Sequence, residues 1–170
     1  MNYSIVEKNL FDSDAKVLVH QVNCMGVMGS GIAKQIKEKF PIVFQEYENA
    51  VRQLQTNCLG GCLLVDTGTG IRIANLFGQY LYRNYTTDYD QYESYKQPGV
   101  NGQGNMRFTN YEAFYRGLIY LKSKLGPQDT KIAFPYNIGC DRGGADWKVI
   151  EEMIISVFSD TNIDIEICRI

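Results

Sequence analysis

The chain has 170 residues, 45% of them apolar and 21% charged, which suits one globular domain and excludes a disordered, fibrous or membrane-spanning chain. Its 17 basic and 19 acidic side chains leave a net charge of -2, so no general attraction for a polyanion exists and nucleic acid is a poor expectation as partner. Five cysteines (Cys24, Cys58, Cys62, Cys140, Cys168) form an odd set, and the opening Met-Asn-Tyr-Ser-Ile lacks a signal-peptide pattern, so a reducing cytoplasm is expected and a membrane is not.

In chain order, a short strand is predicted at residues 3–6, followed by Glu7-Lys8-Asn9-Leu10-Phe11. The run at 17–22 shows little polar alternation, as expected of a central strand covered on both faces. A glycine-rich loop leads from it into a helix over 31–39, with Ile32, Ile36 and Phe40 on one face, and a second helix spans 41–54. Strands follow at 62–66 and 71–75. Cys58 and Cys62 have a spacing that could serve a metal, but no second cysteine pair follows and His20 is the only histidine, so no metal is expected.

Residues 79–107 carry no sustained period and are rich in tyrosine (Tyr80, Tyr82, Tyr85, Tyr89, Tyr92 and Tyr95). They read as a long loop, either a lid over a pocket or a surface insertion. Arg83, Lys96 and Arg107 are mixed with Asp88, Asp90 and Glu93, which gives no clear track for a phosphate backbone. A helix at 111–125, a strand at 132–135, a second glycine-rich loop, a helix at 147–158 and a strand at 163–168 complete one interleaved α/β domain over 1–170.

Ligands of open α/β sheets gather at the carboxyl ends of strands, where helix N-termini offer free N–H groups to anions. Both glycine-rich loops occupy such a place. The first reads His20-Gln21-Val22-Asn23-Cys24-Met25-Gly26-Val27-Met28-Gly29-Ser30-Gly31-Ile32-Ala33, where three glycines in six positions let amides approach an oxyanion. Tight strand-to-helix turns use glycine for backbone reasons as well. The second reads Pro135-Tyr136-Asn137-Ile138-Gly139-Cys140-Asp141-Arg142-Gly143-Gly144-Ala145-Asp146-Trp147. Asp146 suits a helix N-cap, which leaves Asp141 as the better catalytic carboxylate. His20 is a packed strand residue or a general base. The chain has no Gly-x-x-x-x-Gly-Lys-Ser/Thr, no dinucleotide glycine fingerprint after the first strand and no Gly-x-Ser-x-Gly elbow, so kinase, dehydrogenase and triad-hydrolase readings fall away.

Taken together, His-Gln-Val-Asn-Cys-x-Gly-x-Met-Gly-Ser-Gly-Ile-Ala at 20–33, Asn-Leu-Phe-Gly-Gln at 75–79 and Pro-Tyr-x-Ile-Gly-Cys from 135 resemble the macrodomain family over nearly the whole chain. The resembling branch contains ADP-ribose 1''-phosphate phosphatase and terminal ADP-ribose glycohydrolase. The resemblance implies a three-layer α/β/α fold with a central mixed sheet of about six strands. It also implies ADP-ribose or a derivative as ligand, free or on an ADP-ribosylated macromolecule, with no cofactor.

By the same resemblance, Asn9 with Leu10 meets the adenine, and an asparagine can both donate and accept there. Gly29, Ser30, Gly31, Ile32 and Ala33 line the proximal ribose and diphosphate. Asn137, Ile138, Gly139, Cys140, Asp141, Arg142 and Gly143 close over the diphosphate, and Gln21, Asn75, Phe77 and Gln79 complete the ligand set. Asn23, His20 and Asp141 stand near the distal ribose as catalytic candidates. The chain departs from the glycohydrolase pattern, which uses a lysine after the fourth strand and an aspartate in the second loop. Here the lysine region reads Phe77-Gly78-Gln79, and an ungapped match puts Gly143 in the aspartate's place. The expected activity is therefore hydrolysis of ADP-ribose 1''-phosphate or of an ADP-ribosyl linkage, with a non-catalytic reader of ADP-ribose as the rival.

Overall fold

The computed structural model describes residues 1–82 and 107–170, and within them six strands form one sheet with four α-helices around it. The strands are β1 (Tyr3–Val6), β2 (Val17–Val22), β3 (Cys62–Asp66), β4 (Arg72–Phe77), β5 (Lys131–Pro135) and β6 (Asp164–Cys168). The helices are α1 (Gly31–Lys39), α2 (Pro41–Leu54), α3 (Tyr111–Lys124) and α4 (Trp147–Phe158). The sheet order is β1-β6-β5-β2-β4-β3, parallel except for the β3–β4 hairpin, so the sheet is mixed.

Local chemistry sets the helix ends. Proline at the first position of α2 loses no helical hydrogen bond, and Phe40 before it separates α2 from α1. Asn110 caps α3 by accepting from Ala113 N, and Asp146 caps α4 by accepting from Lys148 N. The central strands β2, β4 and β5 are largely apolar on both faces because both are covered. Leu18, Val22, Ile73 and Phe77 pack against Ile36 of α1 and Val43 and Tyr47 of α2. Val19, Ala74, Leu76, Phe134 and Ile167 pack against Phe114 and Leu118 of α3 and Ile150 and Ile154 of α4. These two cores on one sheet make the three-layer α/β/α architecture. At the amino end of β4, Arg72 pairs with Asp129, whose other oxygen accepts from Gly126 N at 2.8 Å.

The end of α3 and the starts of β5 and β6 differ by one residue from the sequence expectation, and two differences are larger. β4 covers 72–77 rather than 71–75, because Leu76 and Phe77 continue the ladder against β2 as far as Val22. Tyr80 and Leu81, expected inside the long loop, are buried in the α1–α2 core, and Gln79 bridges to Thr109. The interior of that loop, 83–106, lies outside the described residues, and the lid expectation lies there with it.

Candidate functional site

β2 and β5 are parallel neighbours, so the loops that leave their carboxyl ends emerge side by side. A cleft of about 1300 Å³ opens between them, bounded also by the turn after β1 and the end of β6. That volume exceeds what a nucleotide-sized ligand needs.

The first loop is shaped by Asn23 and Tyr47 together. Asn23 Oδ1 accepts from Met25 N at 2.9 Å, and its Nδ2 donates to Val27 O at 2.8 Å. Tyr47, fully buried on α2, places its hydroxyl 2.8 Å from both Asn23 O and Asn23 Oδ1, and accepts from Val27 N at 3.1 Å. Burial holds the phenol well above its ordinary pKa, so it keeps the proton it donates. With its side chain spent on loop shape, Asn23 lines the cleft as a scaffold rather than as a free catalytic amide. Ser30, at the start of α1, makes no side-chain cap, unlike Asn110 and Asp146. The first N–H groups of α1 therefore have no partner within the helix, and Gly29 through Ala33 all line the cleft.

The second loop curls on itself. Gly139 takes a φ of 74°, a conformation glycine adopts without a Cβ penalty, and Gly139 O accepts from Ala145 N at 3.1 Å. A Cβ built at Gly143 would collide with Thr109 Oγ1 and the Gly139 carbonyl. No side chain larger than hydrogen has room at that place. All of Asn137 through Gly143 line the cleft, with Asp141 and Arg142 exposed at its lip. Burial, helped by the nearby Asp146 carboxylate, pushes the Cys140 thiol up to about 12, which removes it as a nucleophile.

His20 lies at the floor of the cleft, 2% exposed, with Nε2 2.6 Å from Asn75 Oδ1. Asn75 Nδ2 donates to Leu63 O at 3.0 Å, so its carbonyl faces the imidazole and Nε2 carries the proton. Burial drives the imidazole pKa down to about 4 against the opposing bond to Asn75. The ring is neutral at pH 7, and its Nδ1 is a buried lone pair without a donor among the described residues.

Gln21 and Gln79, on the ends of adjacent chain segments, are joined through Gln21 Nε2 and Gln79 Oε1, and Gln79 Nε2 donates to Leu81 O. Both line the cleft; the Gln79 amide is engaged at both ends, whereas Gln21 Oε1 is buried with no partner among the described residues. Asn9 also lines it, but its Oδ1 accepts from Phe11 N at 2.9 Å, which leaves the amide N–H groups as its unspent side. Leu10, beside it, is both core and cleft wall.

Two expected ligand residues do not line the cleft. Asn75 is fully buried between His20 and Leu63 O, and Phe77 stacks on Tyr47 with ring centroids 5.8 Å apart. Strand alternation turns both into the α1–α2 core. The sequence reading missed Tyr136 and Trp147, whose rings meet at 4.8 Å on the cleft wall, and Lys8, Tyr82 and Cys168. The pair of aromatics flanking the second loop was the available signal. Among the described residues no cluster of His, Cys, Asp and Glu could hold a metal, and no helix is long and apolar enough to cross a membrane.

The family model for the macro domain matches residues 19–88. A DNA ADP-ribosyl glycohydrolase of Mycobacterium tuberculosis (strain ATCC 25618 / H37Rv) is 30% identical over 150 residues, 88% of this chain and 37% of that protein. An ADP-ribose 1''-phosphate phosphatase of Saccharomyces cerevisiae (strain YJM789) is 33% identical over 66 residues, 38% of this chain and 37% of that protein. The chain thus spans about 37% of the length of these curated relatives. The solved macrodomain of Mycobacterium tuberculosis DarG superposes with a TM-score of 0.72 at 27% identity, covering 98% of this chain and 96% of that one.

Proposed function

Because this chain belongs to the macrodomain family, we propose that its cleft binds ADP-ribose or a close derivative and hydrolyses ADP-ribose 1''-phosphate or an ADP-ribosyl linkage. One observation carries the reading: two strand-to-helix loops, one running into an uncapped helix N-terminus, meet around a single cleft. A diphosphate placed between them would take its hydrogen bonds from backbone N–H groups, with no metal required. Adenine would lie toward Asn9, whose amide donates, and the distal ribose toward Asn23 and His20.

The phosphatase branch of the proposal asks least of these residues. A water would attack phosphorus, the ribose 1''-oxygen would leave, and loop amides would stabilise the charge on the transferring group. Asp141 is the carboxylate able to take the water's proton, since it is exposed at the cleft lip and has no hydrogen-bond or ion-pair partner among the described residues. Attack by a lysine is unsupported, because Gln79 occupies that region with its amide tied to Leu81 O. A reader of ADP-ribose is the second reading, favoured by His20, which is bound through Nε2 and buried at Nδ1 rather than poised against a nucleophile. Five unbridged cysteines support a reducing setting for either role.

Calorimetric titration with ADP-ribose and with ADP-ribose 1''-phosphate, each mixture assayed for released phosphate, separates these readings. Phosphate release that disappears in Asp141→Ala with binding retained is the result expected of the enzyme. Binding without release in the wild type moves the assignment to the reader. No binding of either compound refutes the ligand.

A further inference from the structure

Thr109 belongs to neither ligand loop, yet the second loop is folded around it. The residue is fully buried. Its hydroxyl donates to Gly139 O at 2.7 Å and accepts from Gln21 Nε2 at 2.9 Å, so one side chain ties the end of β2 to the second loop. Its main-chain N–H and that of Phe108 both donate to Gly143 O, at 3.0 and 2.8 Å. A Cβ added at Gly139 would come within 3.2 Å of the same hydroxyl, and one at Gly143 would run into it. Gly143 is bare because the loop is wrapped this closely on Thr109, and at Gly139 the positive φ and Gln21 Oε1, 2.9 Å from such a Cβ, add to the same demand.

We infer that Thr109 is a positioning residue that aims the second loop's N–H groups at the ligand, an inference that rests on the ADP-ribose reading above. The physical reason is the planarity of the peptide bond. In a trans peptide the carbonyl of one residue and the N–H of the next point in opposite directions. With Gly143 O drawn toward Phe108 and Thr109, the N–H of Gly144 faces the other way, and Gly144 lines the cleft. Gly139 O, held by the Thr109 hydroxyl and Ala145 N, fixes the turn that carries Cys140 N to Asn137 O. The anchor thus comes from the chain just before α3, next to Gln79, while the groups it aims serve the cleft.

The loop is assigned to the diphosphate and the Asn9 end to the adenine, so a positioning role has a selective signature. Thr109→Val keeps the shape and the main-chain bonds to Gly143 O but removes both hydroxyl bonds, releasing Gly139 O and with it the turn on which Gly143 and Gly144 are carried; Thr109→Ser restores them. Calorimetry with ADP-ribose and an NMR titration with adenosine are run on wild type and both variants, with thermal melting as a check on folding. The expected result is at least a tenfold loss of ADP-ribose affinity in Thr109→Val, adenosine binding within twofold of wild type, and recovery in Thr109→Ser. Should Thr109→Val fail to fold, Thr109→Ala, which removes the same hydroxyl bonds without setting a methyl against the Gly139 carbonyl, carries the same expectation. An ADP-ribose affinity within twofold of wild type, or equal losses for both compounds, overturns the inference while leaving the ligand reading intact. A wild type that binds no ADP-ribose overturns both.

Discussion

Replacing Tyr47 with phenylalanine removes one oxygen from a fully buried site and leaves the ring in place, so no cavity opens. The lost hydroxyl donates to Asn23 and accepts from Val27 N. Each such bond contributes about 0.5–1.5 kcal/mol net, and a buried group left without a partner costs about 1–3 kcal/mol. Val27 N keeps a longer contact of 3.4 Å to Asn23 Oδ1, and Asn23 Oδ1 keeps Met25 N, so part of the loss is offset. A destabilisation of about 2 kcal/mol follows, equivalent to a fall in Tm of roughly 4–8 °C for a chain of this size. Urea unfolding followed by circular dichroism measures it, with the slope against denaturant unchanged because the same surface is exposed. The first loop loosens with the bond, so ADP-ribose affinity falls as well. A Tyr47→Phe midpoint indistinguishable from wild type would refute the view that α2 holds the first loop in shape.

His20 makes stability depend on pH in a calculable direction. Burial sets its folded-state pKa near 4, against about 6.5 in the unfolded chain, so between those values the unfolded state binds more protons. The His20 contribution is complete above pH 6.5, declines as pH falls toward 4 by roughly 3 kcal/mol, and is flat below. Denaturant midpoints across pH 7 to 3.5 should therefore fall more steeply in the wild type than in His20→Gln, and parallel curves would contradict the assignment. Asp129→Asn leaves the Arg72 guanidinium without its carboxylate, and with Asp129 buried and Arg72 one-quarter exposed the expected loss is roughly 2–4 kcal/mol, read in the same urea assay.

The helices whose ends carry their own chemistry were the most legible part of the chain. Pro41 opens α2, Asp146 caps α4, and the ends of α1, α2 and α4 agree with the apolar periodicity. The two glycine loops were legible as the cleft because their place after β2 and β5 fixes where they emerge. The Asn-Leu-Phe-Gly-Gln block was misread in part because it contains the last turn of the β4 ladder. A motif quoted as a string does not say which face of a strand meets a helix, and parity sends Asn75 and Phe77 inward while Gln79, past the strand, reaches the cleft. Thr109 was invisible for another reason. Its partners, Gln21, Gly139 and Gly143, lie 30 or more residues away in sequence, and a lone threonine before a helix carries no periodic signal.

The bridge between Gln79 and Thr109 has a use in protein engineering. It brings the two ends of the intervening segment together, with Cys24 N holding Tyr80 O on one side and Gly143 O receiving Phe108 N on the other. Closure entropy rises only with the logarithm of length, about 0.6 kcal/mol for each doubling, so a stretch whose ends are pinned tolerates replacement by a much shorter or longer one. A circularly permuted fluorescent protein spliced between those ends would be wired to both glycine loops at once, and ligand arrival would be read as a change in its brightness.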